Sequence, residues 1–487
     1  MKPLSLVLAT ALALAAVADG QPPFATGLHR DDQPPPPTVM VVKMTLHPVG
    51  PSEPDLRFKL LPEVRDREPG NAALLYYRAY SPEWFVGNQV RRDKELDQKL
   101  EKWRSETPLK ELPVKELDWL LNSNDLREVD RAARRSYCDW EFVPRLREDG
   151  IGALLPDVQG FREVTRFLAI RTRLQVAQGK YADAVRTLQT GFQLDRDLAE
   201  GPTLIHDLVG IACGMILLER LEELIQQPDA PNFYWPLTDL PQPFVNLRKG
   251  FEGERLTTDW LFPGGRELLA NPNAPRPGPE KFRSMQKMIH GLADDSGPKF
   301  EVSVKHLDEN AAALPEARRV LKGYGWTDAQ IDSQPGGVAN MLLEVHNYDR
   351  YYDEFLRWYG QPYPVAREQF ARSDAKLKAA KDVPGTVLAR LLLPAVGKVI
   401  NASERIDRRI AGLRVVEAVR LYAAAHGGKL PATLADITDV PVPDDPVHAR
   451  PFGYTVEGDK AVLTGPPPAG VTPNSSNNLR YELTLAK

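Results

Sequence analysis

Two short stretches hold residue types that could do chemistry. In "SYCDWEF", Asp139 and Glu141 flank Trp140, and Arg134 and Arg135 stand just upstream. Paired carboxylates beside an aromatic face suit acid/base work on a sugar, where one acid keeps its proton for the leaving group while the other stays ionised. The same five residues suit contact with a ligand or partner. They also suit plain structure, with Trp140 and Phe142 packed at a helix end and the acids paired to arginines. In "EVHNYDRYYDEF", a helix places His346, Asp349 and Asp353 in one sector, where an imidazole and carboxylates suit a divalent metal. That spacing fits ordinary surface pairing as well, and no metal or other cofactor is expected.

Other local signatures are absent. No serine sits in a glycine-flanked nucleophile elbow, and there is no His-Glu-x-x-His, phosphate-cradling loop or dinucleotide fingerprint. These absences weaken the named classes alone, because a site assembled from distant residues leaves no local trace. No catalytic residue is assigned, and the expected contact residues are Arg134, Arg135, Asp139, Trp140 and Glu141. His206, isolated on an apolar helix, reads as a core or boundary histidine.

The elements that must position these groups are mostly helical. Val164, Phe167, Ile170, Leu174 and Ala177 recur at three- and four-residue steps after Pro156, and Gly179 stops that helix. Tyr181, Ala184, Val185, Leu188 and Phe192 stripe the next, which ends near Gly201. Pro202 opens a third, apolar nearly all round, which must be buried on most sides and form the spine of an N-terminal domain. "NDLREVDRAARRSY" begins at a polar cap, Ser123 or Asn124. Val338 to Tyr359 is amphipathic, and a long helix from about Thr386 to Ala425 is expected to bend at Pro394. The tail changes character: residues around Gly458-Asp459 signal a hairpin, and "LRYELTL" offers a third strand. Val39 to Leu46 is β-prone but has no evident place.

Composition and the leader bound the class. The chain has 487 residues, 44 of them proline, and a net charge of −4, which supplies no attraction to a polyanion, so nucleic acid is not an expected partner. Lys2, the apolar run Pro3 to Val17 and the small residues Ala16-Val17-Ala18 read as a Sec signal peptide. No later run is long enough to span a membrane, so the expected location is periplasmic or extracellular. A disulfide can persist there, and the spacing of Cys138 and Cys213 leaves their pairing open. The expected order is a signal peptide (1–18), a Pro-rich tether (19–40), a helical domain (41–255), a Pro/Gly-rich linker (256–300), a second helical region (301–430) and a small β-containing tail (431–487).

Leu168, Gly179, Tyr181, Ala184, Leu188 and Gly191 resemble the packing residues of a tetratricopeptide repeat. Thr172 and Arg196 depart from that pattern, and no second copy follows at the family's spacing. The segment is therefore read either as a degenerate repeat-like hairpin or as part of an unrelated helical core. His426, Gly427, Leu430, Pro431, Leu434, Asp445, Pro446, Pro451, Phe452 and Tyr454 resemble the tail of exported proteins of planctomycete-type bacteria and, more distantly, the C-terminal region of pseudopilins. Neither resemblance transfers a catalytic residue. The expectation is a mainly α exported scaffold, without catalysis, that binds protein or peptide partners in the envelope. The alternatives are an envelope hydrolase acting on carbohydrate or peptide, and a pseudopilin-related assembly component.

Overall fold

Apolar stripes dictate where helices form, and glycines dictate how closely they meet. The computed structural model describes residues 37–81, 93–149, 156–275, 314–334, 337–380 and 383–486, so the leader and most of the tether lie outside the described residues. In chain order, β1 is Met40–Leu46, β2 Glu68–Asn71, α1 Ala72–Ala79, α2 Lys94–Ser105, α3 Asn124–Ala132 and β3 Arg135–Tyr137. Then come α4 Pro156–Ala177, α5 Tyr181–Leu198, α6 Leu204–Ile225, α7 Arg248–Leu261, α8 Gly265–Ala270 and α9 Pro315–Gly323. The chain closes with α10 Val338–Tyr359, α11 Tyr363–Ala379, α12 Val387–Ala425, β4 Gly453–Glu457, β5 Lys460–Gly465 and β6 Leu479–Leu485. The protein is thus mainly α with a small sheet near its C-terminus.

Gly179 adopts φ 71°, a left-handed turn that folds α5 back on α4. α6 packs on both, and its approach to α5 is close. A methyl group on Gly191 would stand 2.4 Å from Leu217, and one on Gly210 2.6 Å from the Asp195 carbonyl oxygen. α6 starts two residues later than Pro202 suggests, because the Thr203 hydroxyl accepts the His206 amide and caps the helix there. At α3, Ser123 takes the cap, accepting the Leu126 amide at 3.4 Å.

One apolar core surrounds Trp140 and involves α1, α4 and parts of α5 and α6. A second runs from Met44 to Leu485 and joins α6, α10, α12 and the sheet. This second core crosses the boundaries drawn from sequence. The Pro/Gly-rich stretch begins inside α7, which runs to Leu261, and is helical again from Gly265 to Ala270, where α8 packs against α10, while residues 276–313 lie outside the described residues. Pro394 lies inside one continuous helix, α12.

The sheet has the order β1-β6-β5-β4. The β4–β5 hairpin and the third strand form as anticipated. The unplaced N-terminal strand proves to be the fourth, parallel to β6 in register from Met40↔Leu479 to Leu46↔Leu485. Met44, Leu46, Ala461, Leu463, Tyr481 and Leu483 turn inward. A methyl group on Gly412 of α12 would reach within 3.0 Å of the Tyr481 ring, so the sheet rests directly on that helix.

α12 also anchors the tail through buried arginines. Arg408 bonds Asp445 at 2.6 Å and the Asn477 and Pro466 carbonyls, while Asp445 accepts the Val447 amide and so closes a turn through Pro446. Arg409 grips Glu222 of α6 through two bonds of 2.8 and 2.6 Å, and the Tyr481 hydroxyl donates to the same carboxylate at 2.9 Å.

Candidate functional site

The surface around Trp140 is built on a short parallel ladder. β2 and β3 pair with Glu68 opposite Arg135 and Asn71 opposite Tyr137. Asn71 then serves three groups: it caps α1 by accepting the Ala73 amide, accepts the Asp139 amide at 2.9 Å and donates to the Asp139 carbonyl at 2.8 Å. This staple holds residues 138–142 so that side chains alternate. Cys138, Trp140 and Phe142 are buried, and Asp139 and Glu141 are exposed. Glu141 adopts φ 52°, and its amide donates to Asp139 Oδ1 at 2.9 Å.

Trp140 offers no open face. It stacks on Tyr76 at 5.7 Å, meets Phe161 at 5.1 Å and stands edge-on to Tyr77 at 5.5 Å, while its indole N–H donates to the Asp197 carbonyl at 2.6 Å. The arginines serve the frame. Arg134, lowered from its ordinary value by burial, donates to the Asp130 carbonyl, Thr190 and Gln189. Arg135 donates to the Pro69 carbonyl at 2.7 Å and pairs with Glu68 at 3.4 Å. Four of the five residues therefore surround one loop without converging on a common point, and the fifth is packed beneath it. An acid catalyst on a sugar must be withdrawn from water to keep its proton, whereas Asp139 and Glu141 are both open to water.

What the surface presents instead is apolar. Leu74 of α1 and Tyr137 of β3 are 64% and 57% exposed, on the two segments that Asn71 staples together. Beneath them runs a buried polar chain that the sequence reading missed. Arg67 donates to the Arg135 carbonyl and to Gln193, Gln193 to one Asp197 oxygen and the Tyr76 hydroxyl to the other, the last three at 2.7 Å. Burial pushes the Asp197 carboxyl up to about 7 against the opposing bonds from Tyr76 and Gln193. A signal for acids of this kind was present: Asp195 falls three residues after Phe192 and seven after Leu188, on the inward stripe of α5.

The second constellation disperses into pairs. Asp349 binds Arg266 through two bonds of 2.8 and 2.6 Å, Asp353 pairs with Arg255, and His346 Nδ1 meets the Tyr324 hydroxyl at 3.2 Å. Among the described residues no group of three or more histidines, cysteines or acids is placed to hold a metal ion. His206 is buried, bonded to Thr203 at 2.7 Å and pushed down to about 3 by burial. Cys138 and Cys213 are both free, buried thiols. Burial raises each, Cys213 to about 12, which makes them unreactive. An open, largely apolar concavity of about 700 Å³ lies in the tail, lined in part by Leu434, Ile437, Val440, Phe452 and Tyr454, and includes none of the five contact residues.

Among the described residues no helix is long and apolar enough to cross a membrane. Comparison with known protein families, with curated proteins and with solved structures finds no match.

Proposed function

We propose that this chain is an exported, non-catalytic helical scaffold that binds a protein or peptide partner in the cell envelope through the surface centred on Tyr137. One observation carries the reading: two large apolar side chains, Leu74 and Tyr137, stand exposed on a backbone stapled by Asn71 and braced by the Arg67 to Asp197 chain. A rigid tyrosine on a fixed frame is the type of anchor that dominates protein interfaces, because it contributes contact area at little entropic cost. Asp139 and Glu141 beside it favour a partner segment that carries a basic side chain. Export rests on the leader sequence, and the low net charge argues against nucleic acid.

The test is crosslinking in the exporting cell. A benzophenone amino acid in place of Tyr137 is expected to give one discrete adduct in the envelope fraction, reduced at least about tenfold by Leu74→Asp and by Glu141→Arg, an effect of the size of a single interface anchor. An adduct ladder indifferent to both substitutions would sink the proposal. Loss of a hydrolytic turnover in Asp139→Asn or Glu141→Gln, with folding intact, would instead favour the envelope hydrolase. Filament-like sedimentation with the leader retained would favour an assembly component.

A further inference from the structure

The start of α6 holds a second group of acids, and these face inward. α7 meets α6 through two glycines. A methyl group on Gly250 would stand 2.0 Å from Asp207 Oδ2, and one on Gly253 1.7 Å from the Pro202 carbonyl oxygen. With the backbones this close, Asp207 is sealed: it is fully buried, and neither carboxylate oxygen has a hydrogen-bond donor. Glu254, one turn along α7 from Gly250 and half-buried, accepts the amide of Leu204, the first residue of α6, at 3.1 Å.

The helix Val143–Asp149 packs on α7 and brings Arg145, which lies over the Phe142 ring, and Arg147 in its last turn. The cations of α7 itself are engaged elsewhere. Lys249 pairs with Glu200 at the end of α5, Arg255 with Asp353 of α10, and Arg248 with Glu252. The groups facing the contact from α10 are phenols: Tyr352 donates to the Phe251 carbonyl, Tyr359 accepts the Leu247 amide, and Tyr348 stacks on Tyr352. Burial raises all three above the ordinary phenol value, so they stay neutral. His206 on α6 is neutral and bonded to Thr203. From α12, Asp407 accepts the Phe244 amide.

We propose that Asp207 and Glu254 form a proton-held clasp, in which docking of α7 on the start of α6 requires at least one proton on the pair, so the contact tightens in acid and loosens as pH rises. An ionised carboxylate sealed without a donor is far costlier than a neutral one, and the nearby Glu254 carboxylate adds like charge against its ionisation. The direction agrees. Burial, then the charges of Glu254 and Glu200, hold Asp207 well above the ordinary carboxylate range, and burial raises Glu254 against the Leu204 amide. Because the docked state binds the proton more tightly, the clasp is fully closed below about pH 4, the ordinary carboxylate range, and weakens as pH climbs toward the raised values.

Hydrogen exchange on the full chain tests this. From pH 5 to 8, protection factors of α7 amides are expected to fall by up to about tenfold per pH unit. Asp207→Asn, which cannot ionise, is expected to flatten that slope, and Asp407→Asn to leave it in place. If Asp207→Asn does not fold, Glu254→Gln keeps the acceptor for Leu204 and is expected to reduce the slope. Protection in the unaltered chain that does not change with pH overturns the clasp, as does an undiminished slope in Asp207→Asn or Glu254→Gln.

Discussion

The two ends of α6 bury an acid in opposite ways. Near its C-terminal end, Glu222 is met by Nε and Nη2 of Arg409 and by the Tyr481 hydroxyl. At its first turn, Asp207 is sealed against Gly250 with no donor at all. A carboxylate met by a guanidinium ties three elements together, whereas one sealed without a donor is favoured with its proton on, which makes its contact depend on pH. A third case, the exposed pair Asp139 and Glu141, costs nothing in desolvation and stays open to water. The residue type is the same in all three places, and what differs is which elements arrive beside it.

The largest expected effect comes from turning the paired acid into an unpaired one. Arg409→Met leaves the Glu222 carboxylate buried with a single phenol, and urea denaturation is expected to show a loss of about 3–5 kcal/mol. Tolerance of that change within about 1 kcal/mol would mean that water reaches the site. Next is pH dependence through Asp197, whose folded value of about 7 lies above the ordinary carboxylate value. Stability from this group is complete below about pH 4 and is lost as pH rises toward 7, by up to about 1.4 kcal/mol per pH unit. Asp197→Asn is expected to flatten that part of the profile, and an unchanged slope between pH 4 and 7 would show that Asp197 stays ionised. Smallest is the exposed case: Asp139→Asn keeps an acceptor for the Glu141 amide and is expected to change the unfolding free energy measured in urea by less than about 0.5 kcal/mol. A larger shift would place Asp139 in the frame rather than on the contact surface.

Much of the helical skeleton was legible because its signals are local. The stripe through Val164 and Leu174, the Gly179 turn and the Gly458-Asp459 hairpin each rest on residues a few positions apart, and each element forms. The place of β1 was not legible, since its partner β6 lies at the other end of the chain and the pairing depends on α12 carrying the sheet. The candidate site was legible in part. "SYCDWEF" alternates apolar and polar residues, and that alternation, rather than the proximity of two acids, decides that Trp140 goes in while Asp139 and Glu141 stay out. Arg67, Gln193 and Asp197 come from two distant segments, and no spacing rule joins them.

By itself the sequence determined the helix stripes, the turn glycines and the tail strands, because periodicity and backbone preference act within one element. Only the tertiary structure decided which acids meet an arginine, which meet a glycine wall and which meet water. Desolvation and ion pairing are set by the side chains that other elements bring within a few ångströms, and those contacts do not exist until the chain has folded.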